Sequence, residues 1–315
     1  MTARIEMFEV LIVIISYNSA DDIVRCMAAL EQLSYTTFRV VVCENAGAVA
    51  FDTLRKELPS HLPGGQTVEA VLAPYNLGYA GGINFALDHV AKADAYWVLN
   101  PDVEPSPLIL EAMVERLGRH DCQAVGHDLV LPNGKLASRG GGQWRSWSAR
   151  PISIDHGRSP TVRVHPEVTE AKLDYVIGAS MLISQDFLNL VGRMREDYFL
   201  YCEEIEWCLR ATRLGQRLGY APAGFAVHRH GTSTGGGGAL SSRSKLAVYL
   251  NERNRMLLTR DVYPARFPVA LVLSLLHIVL KYVRSRAWRQ LGYALSGWTA
   301  GVRNERGRPA WWNAG

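Results

Sequence analysis

The sequence predicts an α/β protein organised on a doubly wound, mostly parallel sheet, and three observations predict it. Continuous β-branched runs read as strands buried on both faces, helical stretches alternate with them, and polar or acidic residues stand directly after each run. In open sheets of this kind ligands gather at the carboxyl ends of the strands, so those following residues are the ones to read for function. A length of 315 residues with 48% hydrophobic and 20% charged side chains suits one large or two small domains and excludes wholesale disorder. The 28 Gly and 14 Pro follow no short period, which excludes a collagen-like or low-complexity fibre.

Residues 10–15 form the first predicted strand, an unbroken apolar run rich in Val and Ile. A helical stretch over 21–33 leads to a second strand over 38–43, and a shorter helix over 52–58 leads to a weaker third over 67–72. A glycine-rich turn then opens a helix over 80–90, followed by the strand 95–99 and a helix suggested over 105–117. In the second half, Glu203 and Glu204 open a helix that runs to Leu214 and is stopped by Gly215. His228 and His230 stand two apart on a predicted strand, where alternate side chains share a face. Behind them a loop over 231–238 carries four consecutive glycines, which no packed element tolerates cheaply. It reads either as a plain linker or as a flap that orders over substrates and excludes water.

Cys26, Cys43, Cys122, Cys202 and Cys208 are odd in number, scattered and never spaced CxxC, so neither a disulfide framework nor a thiolate zinc site is expected. With a mixed-charge start that runs straight into a strand, this gives the expectation of no secretory leader and a cytoplasmic location. The net charge of +4 is unevenly spread. Residues 243–308 hold 13 Lys or Arg against 3 Asp or Glu, so this tail is +10 and the remainder −6. Within the tail lies an apolar run over 267–280, preceded by Arg260 and Arg266 and followed by Lys281, Arg284, Arg286 and Arg289. That run of 14 residues falls short of the roughly 20 needed to cross a bilayer as a helix. Two readings fit it: a packed core helix with a solvated basic face, or an amphipathic helix lying against an anionic membrane surface. Nucleic acid is not an expected partner, because the tail carries no recognised module and no interleaved aromatic platform.

Ser16-Tyr17-Asn18 follow the first strand and Glu44-Asn45 the second. The turn from Asn76 through Gly78, Gly81 and Gly82 to Asn84 follows the third, and Asn100-Pro101-Asp102 the fourth. Singly, each has a plain structural use: Asn18 and Asp102 suit helix caps or turns, and the glycines ease a tight bend. Together they set polar and acidic groups around one crevice. In this order they resemble the motifs of the family 2 glycosyltransferases with a GT-A fold, most closely the bacterial rhamnosyltransferase branch. The likeness continues with the run 196–210, Gly215 and the segment 226–231, and covers roughly residues 9–260. It implies a GT-A catalytic domain over 1–242, with a donor-binding half over about 1–120 and an acceptor and catalytic half over about 121–242. A basic, partly apolar helical extension over 243–315 follows.

The resemblance also implies roles. Asp102 matches the second acid of a DxD-like motif whose first acid is here Asn100, so direct metal contact rests on Asp102, with His228 as a further contact and His230 as the lesser candidate. A hard carboxylate oxygen suits Mg²⁺ or Mn²⁺, which offsets the charge of a departing diphosphate. The nucleotide-sugar donor would meet Ser16, Tyr17, Asn18, Glu44 (commonly Asp in relatives), Asn76, Gly78, Gly81, Asn84 and Asn100. No GKS or GKT follows the glycine turn, so it is not a Walker loop. Inverting transfer needs a carboxylate to take the acceptor's proton on the face opposite the leaving group; on the family's acid-acid pattern this is Glu204, with Glu203 its neighbour. Arg253, beside Asn254, matches a recurring Arg-Asn element. Its forked donors suit a donor or acceptor phosphate, unless they pair with Glu252 or Asp261. Trp144 and Trp147 read as core packing or as a platform for a sugar ring.

The expected enzyme moves a sugar, L-rhamnose from dTDP-L-rhamnose or a hexose from a UDP-sugar, to a glycan or polyprenyl-diphosphate-linked acceptor in cell-surface polysaccharide synthesis. Because Asn100, Glu44 and Glu204 stand where relatives commonly carry other residues, a catalytically silent scaffold of the same fold is the competing expectation.

Overall fold

A computed structural model describes residues 8–229 and 239–312. Four parallel strands form the first half of the sheet: β1 (Val10–Ser16), β2 (Phe38–Glu44), β3 (Val68–Leu72) and β4 (Ala95–Leu99), ordered β3-β2-β1-β4. They are connected by α1 (Ala20–Leu30), α2 (Ala48–Glu57) and α3 (Gly78–His89). Every residue of β1 is buried, and alternate side chains enter opposite layers. Leu11, Val13 and Ile15 join a core with α3, while Val10, Ile12 and Ile14 join one with α1.

The chain continues through β5 (Val103–Pro105), α4 (Ile109–Leu117), β6 (Ala124–Val130), β7 (Leu136–Arg139) and the hairpin β8 (Gly142–Arg145) to β9 (Arg150–Ser153). The short α5 (Pro166–Glu170), β10 (Ser180–Ser184), α6 (Gln185–Val191), α7 (Glu203–Arg213) and β11 (Leu218–His228) follow. β10 enters antiparallel between β4 and β6, β11 runs parallel to β6, and β5 closes the far edge antiparallel to β11. The order reverses beside β1, since β2 and β3 lie on one side of it and β4 on the other. This is the switch point at which such sheets leave a crevice.

Two expectations shift here. The helix predicted over 105–117 begins only at Ile109, because Val103–Pro105 pairs with β11 as an edge strand, a place where proline's missing N–H costs no ladder bond. Asp102 therefore leads into a strand and does not cap that helix. The helix predicted over 52–58 starts earlier, at Ala48, after Gly47 turns the chain with φ +94°. All five cysteines are buried and free.

The tail forms α8 (Lys245–Val262), α9 (Phe267–Arg284) and α10 (Trp288–Val302). Ala270, Ser274, Ile278 and Tyr282, one helical turn apart, form the buried stripe of α9. The Trp298 Nε1 of α10 donates to Ser274 Oγ at 2.9 Å. The sequence run of 14 apolar residues understates this element. The helical segment Pro264–Arg284 has 21 residues, long and apolar enough by length and composition to cross a membrane, and only 22% of its most apolar window is buried. Val272, Leu273, Leu276 and Leu280 stand exposed on its outer face.

At the start of α3, Gly78 has φ +74°, and a Cβ there would lie 2.1 Å from the Phe199 carbonyl oxygen, which accepts the Tyr79 N–H at 2.8 Å. Gly78→Ala should therefore lower the unfolding free energy by about 1–3 kcal/mol or more, read as a shift of the urea midpoint without loss of cooperativity.

Candidate active site

The ends of β1 and β2 carry one connected polar group. Ser16 Oγ donates to Glu44 Oε2 at 2.5 Å and lies 3.1 Å from Ser19 Oγ. Glu44 Oε1 accepts the backbone N–H of Asn18 at 3.3 Å and of Ala46 at 2.9 Å. Asn18 takes a left-handed conformation, φ 52°, which asparagine tolerates better than most residues. The longer acid thus reaches its partners. Beside this group opens a cleft of about 520 Å³ lined by Asn18, Asp22, Arg25, Glu44 and Val49 among others. The Tyr17 ring lies 6.2 Å from that of Trp312.

The glycine turn is tied to β2. Asn45 Nδ2 donates to the Gly78 carbonyl at 2.7 Å, and Asn76 Oδ1 accepts the Gly78 N–H at 3.0 Å. Further along, Asn84 Nδ2 donates to Met194 O and Glu196 Oε1, both at 2.8 Å, while its Oδ1 accepts the Met194 N–H. Gly81 faces Leu77 and Glu196.

Across the crevice, Asp102 Oδ1 lies 3.3 Å from His228 Nε2, and both residues are more than nine-tenths buried. The pairing of β5 with β11, His228 opposite Val103, brings them together. Asn100 Oδ1 is buried and accepts no hydrogen bond, although its backbone N–H donates to Ala179 O at 2.8 Å. Among the described residues no three His, Cys, Asp or Glu side chains cluster as a complete metal cage. A carboxylate, an imidazole and an unoccupied amide oxygen nevertheless fit a hard divalent cation of the kind that completes its shell with phosphate oxygens and water. His230 and the glycine loop 231–238 lie outside the described residues.

Glu203 and Glu204 begin α7. Burial pushes both carboxyls above the usual carboxylate range; the neighbouring Glu204 charge raises Glu203 further, and the backbone N–H groups at the helix start pull the other way. Glu204 packs on Gly178, where a Cβ would come within 2.9 Å of the Glu204 Cβ. Tyr79 Oη donates to the Gly178 carbonyl at 2.6 Å. That phenol is held well above its ordinary pKa by burial first, then by the charges of Glu203, Glu204 and Asp102. The charges of all three acids thus bear on one tyrosine.

The segment before the pair is strained: Phe199, Tyr201 and Cys202 all have φ between 68° and 75°. Asn254 Nδ2 donates to the carbonyls of Tyr198, Leu200 and Tyr201 at 2.7–2.9 Å. Arg253 adds donors to Tyr198 O at 2.8 Å and Gly307 O at 2.7 Å.

The profile "Glycosyl transferase family 2" matches residues 11–188, more than half of the chain. The chain belongs to glycosyl transferase family 2. It is 22% identical over 318 residues to the low-salt glycan biosynthesis hexosyltransferase Agl10 of Haloferax volcanii, covering 95% of this chain and 92% of the relative. To the N-acetylglucosaminyl-diphospho-decaprenol L-rhamnosyltransferase of Mycobacterium tuberculosis it is 23% identical, covering 71% and 77%. Its fold is similar to that of the mannosyltransferase PcManGT of Pyrobaculum calidifontis, solved with GDP-Man and Mn²⁺, at a TM-score of 0.57 and 16% identity over 95% of this chain and 88% of that one.

In this family 2 glycosyltransferase, an enzyme with a GT-A fold, the residues expected at the site have the following surroundings. Asn18 and Glu44 line the cleft, with Ser16 bonded to Glu44 behind them. Asn76 and Gly78 shape the turn, while Asp102, two residues on from Asn100 in the chain, pairs with His228 at 3.3 Å. Gly81 and Asn84 pack against the 194–196 segment, and Arg253, 1% exposed, gives its donors to backbone carbonyls and Asn254 and pairs with neither Glu252 nor Asp261. The tryptophans separate: Trp144 is core, whereas Trp147 is half exposed beneath the Arg266 guanidinium, 5.0 Å from its ring. Sequence reading passed over Arg25, whose place on the polar face of α1 looks like an ordinary surface charge until the cleft forms beside it. Tyr79 was legible only as part of a glycine motif.

Asn254→Ala removes the amide whose one NH2 group serves three carbonyls of the strained segment. It should lower kcat at least tenfold with little change in donor KM, and cost about 2–4 kcal/mol of stability. Steady-state kinetics and denaturant titration check both.

Proposed function

We propose that the enzyme is an inverting, divalent-metal-dependent transferase. It moves L-rhamnose from dTDP-L-rhamnose, or a related hexose from a nucleotide donor, to a lipid-diphosphate-linked acceptor during cell-surface glycan assembly. The observation that carries this reading is the buried Asp102–His228 pair at 3.3 Å with the unoccupied Asn100 amide oxygen, and it is supported by the two glutamates at the start of α7, since one displacement needs a leaving-group side and a proton-accepting side around a single carbon. Asp102 and His228, with Asn100 beside them, are the residues suited to hold Mg²⁺ or Mn²⁺. When bound, such a cation neutralises charge developing on the diphosphate.

In the step itself, Glu204 accepts the proton of the acceptor hydroxyl while that oxygen bonds to the anomeric carbon. The bond from this carbon to the diphosphate oxygen breaks, and a nucleoside diphosphate departs with the bonding electron pair. A carboxyl raised by burial is a better base near neutral pH than an ordinary glutamate. Tyr79 and Gly178 fix the wall against which Glu204 rests. The Ser16, Asn18 and Glu44 group suits the nucleoside, and the cation-bearing Arg25 lies along the same cleft.

The sugar and acceptor are supported by the names of the relatives, one an L-rhamnosyltransferase acting on a diphospho-decaprenol sugar, one a hexosyltransferase. The exposed apolar face of α9, with Arg284, Arg286 and Arg289 at its end, supports peripheral contact with an anionic membrane on the cytoplasmic side.

Thermal shifts with UDP, GDP and dTDP, each with and without Mn²⁺, should give the largest metal-dependent stabilisation for dTDP; stabilisation by none of them would overturn the donor reading. Glu204→Gln should keep nucleotide binding but lower kcat by about 10²–10⁴-fold, and equal turnover would reject Glu204 as the base. Because the base works ionised and its pKa is raised, wild-type kcat should climb with pH through a limb above the ordinary carboxylate range. Asp102→Asn should abolish the Mn²⁺ effect on nucleotide binding.

A further inference from the structure

Outside the donor cleft and the carboxylates, one group of charges has no structural use sufficient to explain it. Arg255 and Lys281 share a single carboxylate, Glu252, at 3.0 and 3.8 Å. The charges of Arg255, Arg243 and Arg150 all bear on Lys281, and with burial they push its ammonium down to about 8. Among the described residues no carboxylate pairs with Arg150 or Arg243, so Glu252 offsets Arg255 and Lys281 while the charges of Arg150 and Arg243 add to theirs. The Nε atoms of Arg243 and Arg255 are buried without a hydrogen-bond partner. Gathering like charges under partial burial is costly, and unfilled donors add to that cost, unless an anion completes the group.

The position of this group is informative. Arg255 directly follows Asn254, whose amide holds the segment leading to Glu203 and Glu204. Cys202, one residue before the pair, feels the charges of both Glu204 and Arg255. On the other side, Lys281 belongs to α9, whose outer face exposes Val272, Leu273, Leu276, Val279 and Leu280. A carboxylate, a cationic seat and an apolar face thus succeed one another along the protein. That is the order of groups in an amphiphile whose hydroxyl-bearing head is joined through phosphate to a hydrocarbon tail.

We propose that Arg150, Arg243, Arg255 and Lys281 form the seat for the diphosphate of a lipid-linked acceptor, with its hydrocarbon chain leaving over α9. Forked guanidinium donors suit the phosphate oxygens, and Lys281 supplies a point charge. The assignment rests on the acceptor reading above and adds the residues that recognise the acceptor's charge.

Isothermal titration of the full chain with farnesyl diphosphate, farnesol and inorganic pyrophosphate tests it without turnover. Farnesyl diphosphate should bind at least tenfold more tightly than either fragment. The double variant R150Q/K281Q, at partly exposed positions, should weaken farnesyl diphosphate at least tenfold while nucleotide binding, the control for folding, stays unchanged. Leu276→Ser with Leu280→Ser should bring its affinity down towards that of pyrophosphate. Unchanged affinity in the charge variant, or equal affinity for farnesyl diphosphate and pyrophosphate, would overturn the assignment. So would full displacement of farnesyl diphosphate by phosphatidylglycerol vesicles but not by phosphatidylcholine vesicles, which would make this a seat for bulk anionic lipid. If the loaded enzyme glycosylates no lipid diphosphate while binding follows the stated pattern, the acceptor reading fails and the seat stands. If it does so with KM unchanged in the double variant, the seat fails and the reading stands.

Discussion

Four consecutive carbonyls, from Tyr198 to Tyr201, are each taken by a donor from a distant part of the chain, and the entrance to α7 depends on that capture. Tyr198 accepts from Arg253 and Asn254, Phe199 from the Tyr79 N–H, and Leu200 and Tyr201 from Asn254. Three left-handed residues in four would cost roughly 1–2 kcal/mol each if left to themselves. Hydrogen bonds worth about 1 kcal/mol apiece offset much of it. What the strain achieves is an abrupt entry into α7, so that the two glutamates face inward at the first turn instead of entering solvent as first-turn acids normally do.

The same capture links the two halves of the site. Tyr79 sits one residue beyond the glycine whose missing side chain admits Phe199, and its own hydroxyl reaches the Gly178 carbonyl beside Glu204. The turn after β3 is therefore a clasp between the parallel strands and the segment that carries Glu203 and Glu204. Gly81 and Asn84 serve it by packing against the 194–196 segment, which is why residues matching a donor-binding motif lie inside the protein.

Much of the fold was legible because β1, β2 and β4 are buried on both faces, and burial of that kind leaves an unbroken apolar signature. The polar residues after each strand were equally legible, since the sheet itself converts position in sequence into position around a crevice. Arg253 and Asn254 show where this stops. Their motif was visible, but a side chain serving backbone carbonyls and one serving phosphate have the same donors, and only the three-dimensional path of 198–201 separates them. β5 escaped for a related reason: its three residues pair with a strand more than a hundred positions away, beyond the reach of local pattern. The length of α9 was understated because charged residues at its last turn extend the helix without extending the apolar run.

The far end of the chain returns to the beginning. Arg306 bonds Asp197 and Asp261, the Gly307 carbonyl accepts from Arg253, and the Trp312 ring meets those of Tyr17 and Phe199. Residues 306–312 therefore act on the same stretch, 197–199, that Arg253 and Asn254 hold from α8, so a disturbance there would reach the entrance to α7 from more than a hundred positions away.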